Sequence, residues 1–361
     1  PREEEVNNWL SFLNSLNWVV QNRYIVIGNE PNHAKEWGGQ VNPREYADYL
    51  KSFARKAKEA NENFFILPAG LDASSPNGVE TMEESTFIRE MLASEPDIFN
   101  FIDGWNSHSY PNPGFAGSEK AKGKGTVNTF DWELKLLKSL GVTRELPVFI
   151  TETGWVKAAG NIDKRLVYTF QNVWSDKRIV AVTPFILNYS EPPFNVFSWK
   201  ENGEYLPVYE AVRQSPKVSG MPRQIIKGDI IFSFLEPIGL AGSSIKGLIY
   251  ARNTGQNIWD ETNVNIAQVG GEDLRISSLK IPTVEPSKLG LLLYEAKIPE
   301  GEGSFLTALE LTVNTERIGS LYEVEITSVH PEENKWGLFW ERLIIKAESI
   351  LLSLKQILRV K

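Results

Sequence analysis

Apolar runs with strand character alternate with amphipathic segments of helical period along the first 213 residues. Short apolar runs bounded by glycine or proline indicate buried strands, whereas apolar residues spaced three and four apart indicate helices with one buried face. In "NPREYADYLKSFARKAKEAN", for example, Asn42 is the expected N-cap and Pro43 the first helical residue. Five strands are predicted, over residues 23–28, 64–70, 101–107, 147–152 and 179–187.

Strand–helix alternation at this spacing predicts repeated βαβ units and therefore a parallel sheet of the α/β class. The five predicted strands fit two architectures. One is a small doubly wound sheet, and the other is the C-terminal part of an eight-stranded (β/α)₈ barrel. The pattern of apolar residues leaves this choice open.

The rhythm changes after "QSPKVSGMPRQ", residues 214–224, which is predicted to be a linker between two domains. Segments such as "IKGLIYARNTG" and "TALELTVNT" alternate apolar and polar residues and are separated by Gly, Pro and Asn turns. This period of two predicts an antiparallel, Ig-like β-sandwich over residues 225–330.

Residues 335–361 return to helical period, with Trp336, Trp340 and Leu343 on the apolar face. The segment carries too many charges to span a bilayer. Two tryptophans and a basic end are typical of a helix in a membrane interface, while a helix docked on its own protein or on a partner gives the same pattern. We therefore expect contact with a membrane surface or with protein through this amphipathic tail.

Composition excludes several classes of protein. Among 361 residues there is no cysteine, which rules out a disulfide framework, a thiolate metal site and a cysteine nucleophile. The net charge is −8 without a basic run, so no nucleic-acid partner is expected. Three scattered histidines make a histidine-rich metal site improbable, and we predict no metal and no cofactor. Because a helix pattern is already under way just after Pro1, we expect the chain to begin inside a larger protein.

Two predicted strands end on a glutamate, "VIGNEPNH" with Glu30 and "VFITETGW" with Glu152. Loops at the carboxyl ends of parallel strands are where α/β proteins bind ligands. A pair of converging carboxyl groups is the machinery of glycoside cleavage, in which one protonates the leaving oxygen and the other attacks the anomeric carbon or activates water. Mutual repulsion is expected to keep Glu30 protonated while Glu152 is charged.

Other residues near the predicted strand ends are candidates for substrate binding. Asn29 offers an amide next to Glu30, and Tyr110 is expected to donate a hydrogen bond that lowers the pKa of Glu152. Tryptophans in these loops would supply flat platforms for sugar rings. The candidate binding residues are Asn29, His33, His108, Tyr110, Trp155 and Trp199, with Trp37 a weaker candidate.

The motifs "GNEPN", "SHSYP", "TETGW" and "FSWKENGEYLPVYEAV", in this order, resemble the retaining (β/α)₈ glycoside hydrolases of clan A, in particular the β-xylosidase and α-iduronidase-like branch. The resemblance covers residues 1–213. It implies that Asn29 and Glu30 close the fourth barrel strand with Glu30 as acid/base, and that Glu152 is the nucleophile on the seventh. It also implies that His108 and Tyr110 follow the sixth strand and Trp199 the eighth.

If the strand before Glu30 is the fourth, the resemblance implies that strands one to three, and the substrate-binding arginine usual near the second, precede the sequence given. It leaves open that the chain by itself is an inactive fragment. By the same analogy we expect a secreted or cell-surface protein. The sugar and its linkage are not fixed by these motifs.

Two further hypotheses belong to other classes. In the first, the protein is a non-catalytic carbohydrate-binding or cell-surface adhesion protein on a barrel-derived scaffold, which would not need two glutamates at strand ends. In the second, it is a metal-dependent hydrolase, which the few histidines disfavour. The leading hypothesis is a retaining glycosidase that cleaves a β-linked glycan by double displacement.

Overall fold

The computed structural model describes residues 3–218, 220, 222–330 and 344. The chain divides into two compact units. Unit 1 comprises Pro1–Leu16 and Asn22–Met221, and unit 2 comprises Asn17–Gln21 and Pro222–Lys361. The division near residue 221 falls in the segment expected to be a linker, residues 214–224.

Unit 1 contains alternating helices and strands, as predicted for an α/β protein. The helices are α1 (Glu3–Ser15), α2 (Pro43–Ala60), α3 (Glu84–Ser94), α4 (Thr129–Ser139), α5 (Ile162–Asn172) and α6 (Pro207–Gln214). The strands are β1 (Arg23–Ile27), β2 (Phe64–Pro68), β3 (Trp105–His108), β4 (Val148–Glu152) and β5 (Ile179–Val182), followed by a short hairpin of β6 (Lys200–Glu201) and β7 (Glu204–Tyr205).

The five long strands of unit 1 follow each other in space in the order of the sequence. β1 and β2 form one parallel pair, and β3, β4 and β5 form a three-stranded parallel sheet in that order. Asp103, just before β3, joins the two sheets because its N–H donates to Ile66 O at 2.8 Å and its carboxylate accepts from Ile66 N at 2.7 Å. The carboxyl ends of β1, β3 and β4 therefore face one edge of the unit.

Helix α2 shows how the sequence pattern produces the packing. Asn42 caps it, since its side chain accepts a hydrogen bond from Glu45 N at 3.1 Å, and Pro43 occupies the first turn. The predicted inner stripe of Tyr46, Leu50, Phe53 and Ala57 is buried. A second apolar cluster packs α4, α5 and α6 against β4; its buried members are Val127, Phe130, Val148, Ile150, Trp155, Leu166, Trp174 and Val208.

Several strands of unit 1 are shorter than predicted. The strand predicted over 64–70 ends at Pro68 and the one predicted over 179–187 ends at Val182, two residues before Pro184. Proline has no N–H to donate to a ladder, so both strands stop near it. The strand predicted over 101–107 begins only at Trp105, because Asp103 uses its side chain to bind Ile66 instead.

The described residues of unit 2 form two four-stranded sheets. One has the order β12–β13–β10–β8 and the other β11–β14–β15–β9. The strands are β8 (Gly228–Leu235), β9 (Ile238–Leu240), β10 (Ser244–Asn253), β11 (Val264–Gly271), β12 (Ser277–Lys280), β13 (Leu289–Lys297), β14 (Gly303–Val313) and β15 (Glu316–Val329). The prediction of an antiparallel arrangement holds for every pair except one, since β9 runs parallel to β15.

The two sheets of unit 2 pack around one shared apolar core. One cluster of buried residues contains side chains from both sheets. The first sheet contributes Ile249 of β10 and Tyr294 of β13, and the second contributes Leu311 of β14 and Ile326 of β15. This is the packing of a β-sandwich. Residues 17–21 join this unit unexpectedly: Gln21 N donates to Arg223 O at 2.8 Å.

The predicted amphipathic tail, residues 335–361, lies outside the described residues apart from Ile344, which is helical. In the part of the chain that the structure describes, no helix has the length and apolar character needed to cross a bilayer.

Candidate active site

A cleft of about 570 Å³ opens at the carboxyl ends of β1, β3 and β4. This volume is in the range of sites for small ligands. Both predicted catalytic glutamates, Glu30 and Glu152, line it, and so do Asn29, His33 and Tyr110. The parallel direction of the strands thus brings together side chains that are up to 123 positions apart in the sequence.

Glu30 has a left-handed backbone, with φ of 37°. A non-glycine residue in this region carries local strain, which is typical of functional sites. The conformation is held by two backbone hydrogen bonds: Glu30 N donates to Gly70 O at 3.1 Å, and His33 N donates to Glu30 O at 2.8 Å. This turn aims the carboxyl group at the cleft instead of into the strand.

His108 connects the two strand ends. Its Nδ1 lies 2.9 Å from Glu30 Oε1 and 3.8 Å from Glu152 Oε2, and its ring is almost completely buried. The ring packs directly on Gly70, where a Cβ atom would lie 2.1 Å from His108 Cδ2. Glycine at position 70 therefore makes room for the histidine that holds Glu30.

Glu152 receives a hydrogen bond from the hydroxyl group of Tyr110, with 3.0 Å between Oη and Oε2. Ligand atoms of Glu30, His108 and Glu152, one from each, all lie within 4.8 Å of one another. The carboxyl groups of Glu30 and Glu152 therefore converge on the same part of the cleft.

The electrostatics of Glu152 differ from the sequence-based expectation. Burial raises its pKa, the charge of His108 lowers it, the charge of Glu30 raises it and the hydrogen bond from Tyr110 lowers it, with a net direction upward. We expected the tyrosine to set a lowered pKa. Its effect has the expected sign, but desolvation is larger.

The pKa values of His108 and Tyr110 are both raised. Burial lowers the pKa of His108, but the hydrogen bond to Glu30 and the charge of Glu152 raise it by more. For Tyr110, burial and the neighbouring Glu152 carboxylate both raise the pKa. The phenol therefore stays protonated and remains a hydrogen-bond donor.

His33 lies at the end of the cleft near Glu30, in a small polar cluster. Its Nε2 is 2.9 Å from Asp72 Oδ2 and 2.9 Å from Ser75 Oγ. Since both partners contact the same ring nitrogen, this is not the relay of a serine–histidine–aspartate triad, in which the two contact different nitrogens. Asn29 is also at this end, with its Nδ2 3.5 Å from Glu36 Oε2.

Asp72 is a site residue that the sequence analysis missed. Burial raises its pKa, but hydrogen bonds from Ser74, Ser75 and His33 lower it by more, so a carboxylate charge lines the cleft. The signal in the sequence was weak, because Asp72 lies four residues past the end of β2 in a loop without a motif.

Two of the tryptophans predicted as sugar platforms, Trp155 and Trp199, do not line the cleft. Trp155 is only 2% exposed, donates from Nε1 to Gly117 O at 2.8 Å and belongs to the core under the cleft. Trp199 is half-buried against the same core and does not line the cleft. The weaker candidate Trp37 packs edge-on against Tyr46, with ring centroids 5.3 Å apart. Indole rings of this size gain more from core burial than from exposure.

Phenylalanines occupy the place expected for tryptophans. Phe115, Phe185, Phe194 and Phe197 line the cleft on the side of Tyr110. Phe115 lies in the loop after β3 and the other three lie between β5 and β6, so no local pattern in the sequence marks them as one group. The motif "FSWKENGEYLPVYEAV" predicts Trp199 as the aromatic residue of the site, whereas it is Phe197 of this motif that lines the cleft.

Glu30, His108 and Glu152 also have the ligand types and spacing to hold a metal ion. Two carboxylates and one imidazole are a common donor set for divalent metals. In this structure, however, His108 Nδ1 is already in contact with Glu30, and Glu152 with Tyr110. A metal would have to replace both hydrogen bonds.

No protein family model matches the chain, and no curated protein matches it. Solved structures similar to parts of it are glycoside hydrolases. An endo-β-1,3-glucanase from Pseudomonas viridiflava is 11% identical over 60% of this chain and 75% of its own, with a TM-score of 0.41. An α-L-arabinofuranosidase from Thermotoga maritima is 13% identical over 89% and 73%, also with a TM-score of 0.41.

A third similar structure is the endo-β-1,4-glucanase from Xanthomonas axonopodis pv. citri, 13% identical over 58% of this chain, with a TM-score of 0.39. The chain covers 64% of that enzyme, which is less than two thirds of its length. TM-scores of this size carry no argument about activity.

Proposed function

We propose that the protein is a retaining glycoside hydrolase of β-linked glycans, with Glu30 as acid/base and Glu152 as nucleophile. The observation that carries the proposal is the convergence of the two carboxyl groups, with oxygen atoms within 4.8 Å, in a cleft at the ends of parallel strands. Retaining glycosidases have carboxyl groups about 5–5.5 Å apart, whereas inverting enzymes need about 6.5–9.5 Å to admit a water molecule.

In the proposed first step, Glu30 gives its proton to the glycosidic oxygen while a carboxylate oxygen of Glu152 attacks the anomeric carbon. The bond to the leaving group breaks and an ester between sugar and Glu152 forms. In the second step, Glu30 takes a proton from water, which attacks the same carbon and releases Glu152. His108 positions Glu30, and Tyr110 orients the Glu152 carboxylate throughout.

We also propose that unit 1 is the C-terminal part of a (β/α)₈ barrel. Its strands keep the sequence order within each sheet, whereas a doubly wound sheet reverses order at a switch point. Within the described residues, β1 pairs with β2 alone and β5 with β4 alone. Apolar side chains of these two strands, Val26 and Val180, are exposed. Further parallel strands at these edges would cover them.

The proposal is tested by screening the full chain, and a version with upstream strand–helix units, against nitrophenyl β-glycosides. We expect turnover that Glu30→Gln lowers by about 10²–10⁴-fold, the range for loss of a general acid. Glu152→Gly should lose the activity and regain part of it with azide, giving a sugar azide of inverted configuration. Glu62→Gln, at an exposed carboxylate, is the control.

The rival hypothesis is a non-catalytic carbohydrate-binding protein. It predicts that sugars bind to the cleft without turnover by either version of the chain, and that Glu152→Gln binds them as tightly as the original. NMR can follow the anomeric configuration of the product in the first turnover. A product of inverted configuration would contradict the retaining mechanism but would still support a hydrolase.

A further inference from the structure

The cleft has two walls of opposite character. On the side of Glu30, polar side chains of Asn29, His33, Lys35, Glu36 and Asp72 line it. On the side of Glu152, it is lined by a continuous set of apolar residues that we call the apolar wall: Phe115, Val156, Phe185, Phe194, Val196 and Phe197.

The phenylalanines of the apolar wall pack on each other edge to face. Ring centroids are 5.1 Å apart for Phe115 and Phe197, 5.7 Å for Phe185 and Phe197, and 5.5 Å for Phe185 and Phe194, with interplanar angles of 78–81°. Edge-to-face contacts of this kind are favourable and fix the rings relative to each other. The wall is therefore a connected surface and not a set of separate side chains.

The apolar wall offers no polar side-chain group to a ligand. Tyr110 packs against Phe115 at 5.0 Å, and its hydroxyl group is already donated to Glu152. A sugar ring stacked there would bury its C–H face on the phenyl rings, but its hydroxyl groups would find no side-chain partner on the wall, and each one that is buried costs of order 1–3 kcal/mol. A hydrocarbon chain in the same position would gain about 0.8 kcal/mol for each buried methylene group.

The wall also extends outward. Phe194 is 44% exposed and Val196 is 39% exposed at the mouth of the cleft. Apolar side chains that continue from a cleft to the surface are typical of a binding site for an apolar ligand. The polar wall opposite, which carries the ionised Asp72, is suited to the hydroxyl groups of a sugar.

We propose that the substrates of the site are amphiphilic glycosides, in which polar side chains of the cleft bind the sugar and a hydrocarbon aglycone contacts the apolar wall at the cleft mouth, around Phe194 and Val196. The aglycone is attached to the face of the sugar opposite Glu152, as the displacement requires. This inference rests on the proposed function for turnover, but the selective binding of an apolar aglycone does not depend on hydrolysis. Phe194 and Phe197 are then specificity-determining residues.

The test compares methyl and octyl β-D-glucosides, and the corresponding β-D-xylosides, below their critical micelle concentrations. Binding to the Glu152→Gln protein is measured by calorimetry, and kcat/KM is measured with the original chain. We expect the octyl glycosides to bind at least about tenfold more tightly than the methyl glycosides, and their kcat/KM to be higher by at least the same factor. Two fully buried methylene groups provide a difference of this size. Phe194→Ser should lower the binding and the kcat/KM of the octyl glycosides to the level of the methyl glycosides.

The control is Phe12→Ser, at a phenylalanine of α1 that is 52% exposed and does not line the cleft. It should keep the full preference for octyl glycosides. Equal binding of methyl and octyl glycosides, or a preference that persists in Phe194→Ser, would overturn the proposal. Binding of octyl glycosides that depends on Phe194, without any turnover, would support the apolar subsite and contradict turnover of these glycosides by the chain.

Discussion

Tyr110 and Glu152, 42 residues apart in the sequence, are joined by a hydrogen bond of 3.0 Å from the phenol to Glu152 Oε2. The phenol is a donor that does not ionise near neutral pH, because burial and the adjacent carboxylate raise the pKa of Tyr110. The contact therefore acts on the proposed nucleophile in one direction, by favouring its charged form.

Tyr110→Phe removes this donor and leaves the ring in place. A hydrogen bond to a charged group contributes about 1.5–3 kcal/mol, so kcat should fall roughly 10- to 100-fold. The pKa of Glu152 should rise further, and the acidic limb of the pH–rate profile should move to higher pH. Tyr209→Phe, at a tyrosine that stacks on Tyr205 away from the cleft, is the control. An unmoved acidic limb would contradict the assigned contact.

His108 should titrate above the ordinary histidine pKa of about 6.5, because its hydrogen bond to Glu30 and the charge of Glu152 outweigh the effect of burial. With three histidines in the chain, the signals can be assigned by single substitutions and followed by NMR. In Glu30→Gln the pKa of His108 should fall. If it stays the same, Glu30 is not the group that holds the histidine.

Gly70→Ala should displace His108. The added methyl group would lie 2.1 Å from the buried ring, which is itself held by Glu30. Overpacking of this kind costs about 1–3 kcal/mol, and denaturant unfolding of the variant should show it together with a loss of turnover. Gly78→Ala is the matched control, since the nearest atom to its new methyl group is Thr81 Oγ1 at 3.6 Å. Equal stability of the two variants would refute the packing argument.

Glu84 and Glu133 form a buried carboxyl pair outside the cleft, one on α3 and one on α4. Burial is the main cause of the raised pKa of each, and for Glu84 the charge of Glu133 adds to it. Between the ordinary pKa near 4.5 and the raised value, folded chains hold a proton that unfolded chains have released. The free energy of unfolding therefore falls as pH rises through this window.

Glu84→Gln removes the contribution of Glu84 to this pH dependence. The variant should gain stability relative to the original chain as pH rises from about 5 to 8, by on the order of 1 kcal/mol for each pKa unit lost, and the difference should shrink near pH 4. Denaturant unfolding at a series of pH values measures it, with Glu62→Gln as the exposed control. A variant that is less stable than the original chain at pH 8 would show that the pair is stabilising.

The parts of the fold that the sequence predicted are those governed by local patterns. Helix α2 with its cap at Asn42 and its buried stripe is confirmed, and so is the alternation of strands and helices in unit 1. The first residues of β1, β2 and β5 were also predicted correctly. These features depend on hydrophobic periodicity, helix caps and β propensity, which are properties of short runs of consecutive residues.

The parts of the fold and of the site that could not be predicted depend on how deeply a side chain is buried and on contacts between residues distant in the sequence. Nothing local distinguishes Trp155, which is core, from Phe194, which is exposed at the cleft mouth. Glu84 and Glu133 are polar residues of helices that are nevertheless completely buried, Glu133 beside Trp105 and Ser107 of β3. The carboxylate of Asp72 comes to the cleft through hydrogen bonds within its own loop.

The direction of the Glu30 side chain comes from the course of the main chain. Its left-handed conformation and its bond to Gly70 O aim the carboxyl group, while Gly28, with φ of 88°, turns the chain just before it. Among homologues of this protein, we expect Gly28 and Gly70 to be conserved together with Glu30 more often than any phenylalanine of the cleft. Rings can be exchanged to suit another aglycone, but the turn that presents the acid tolerates few alternatives.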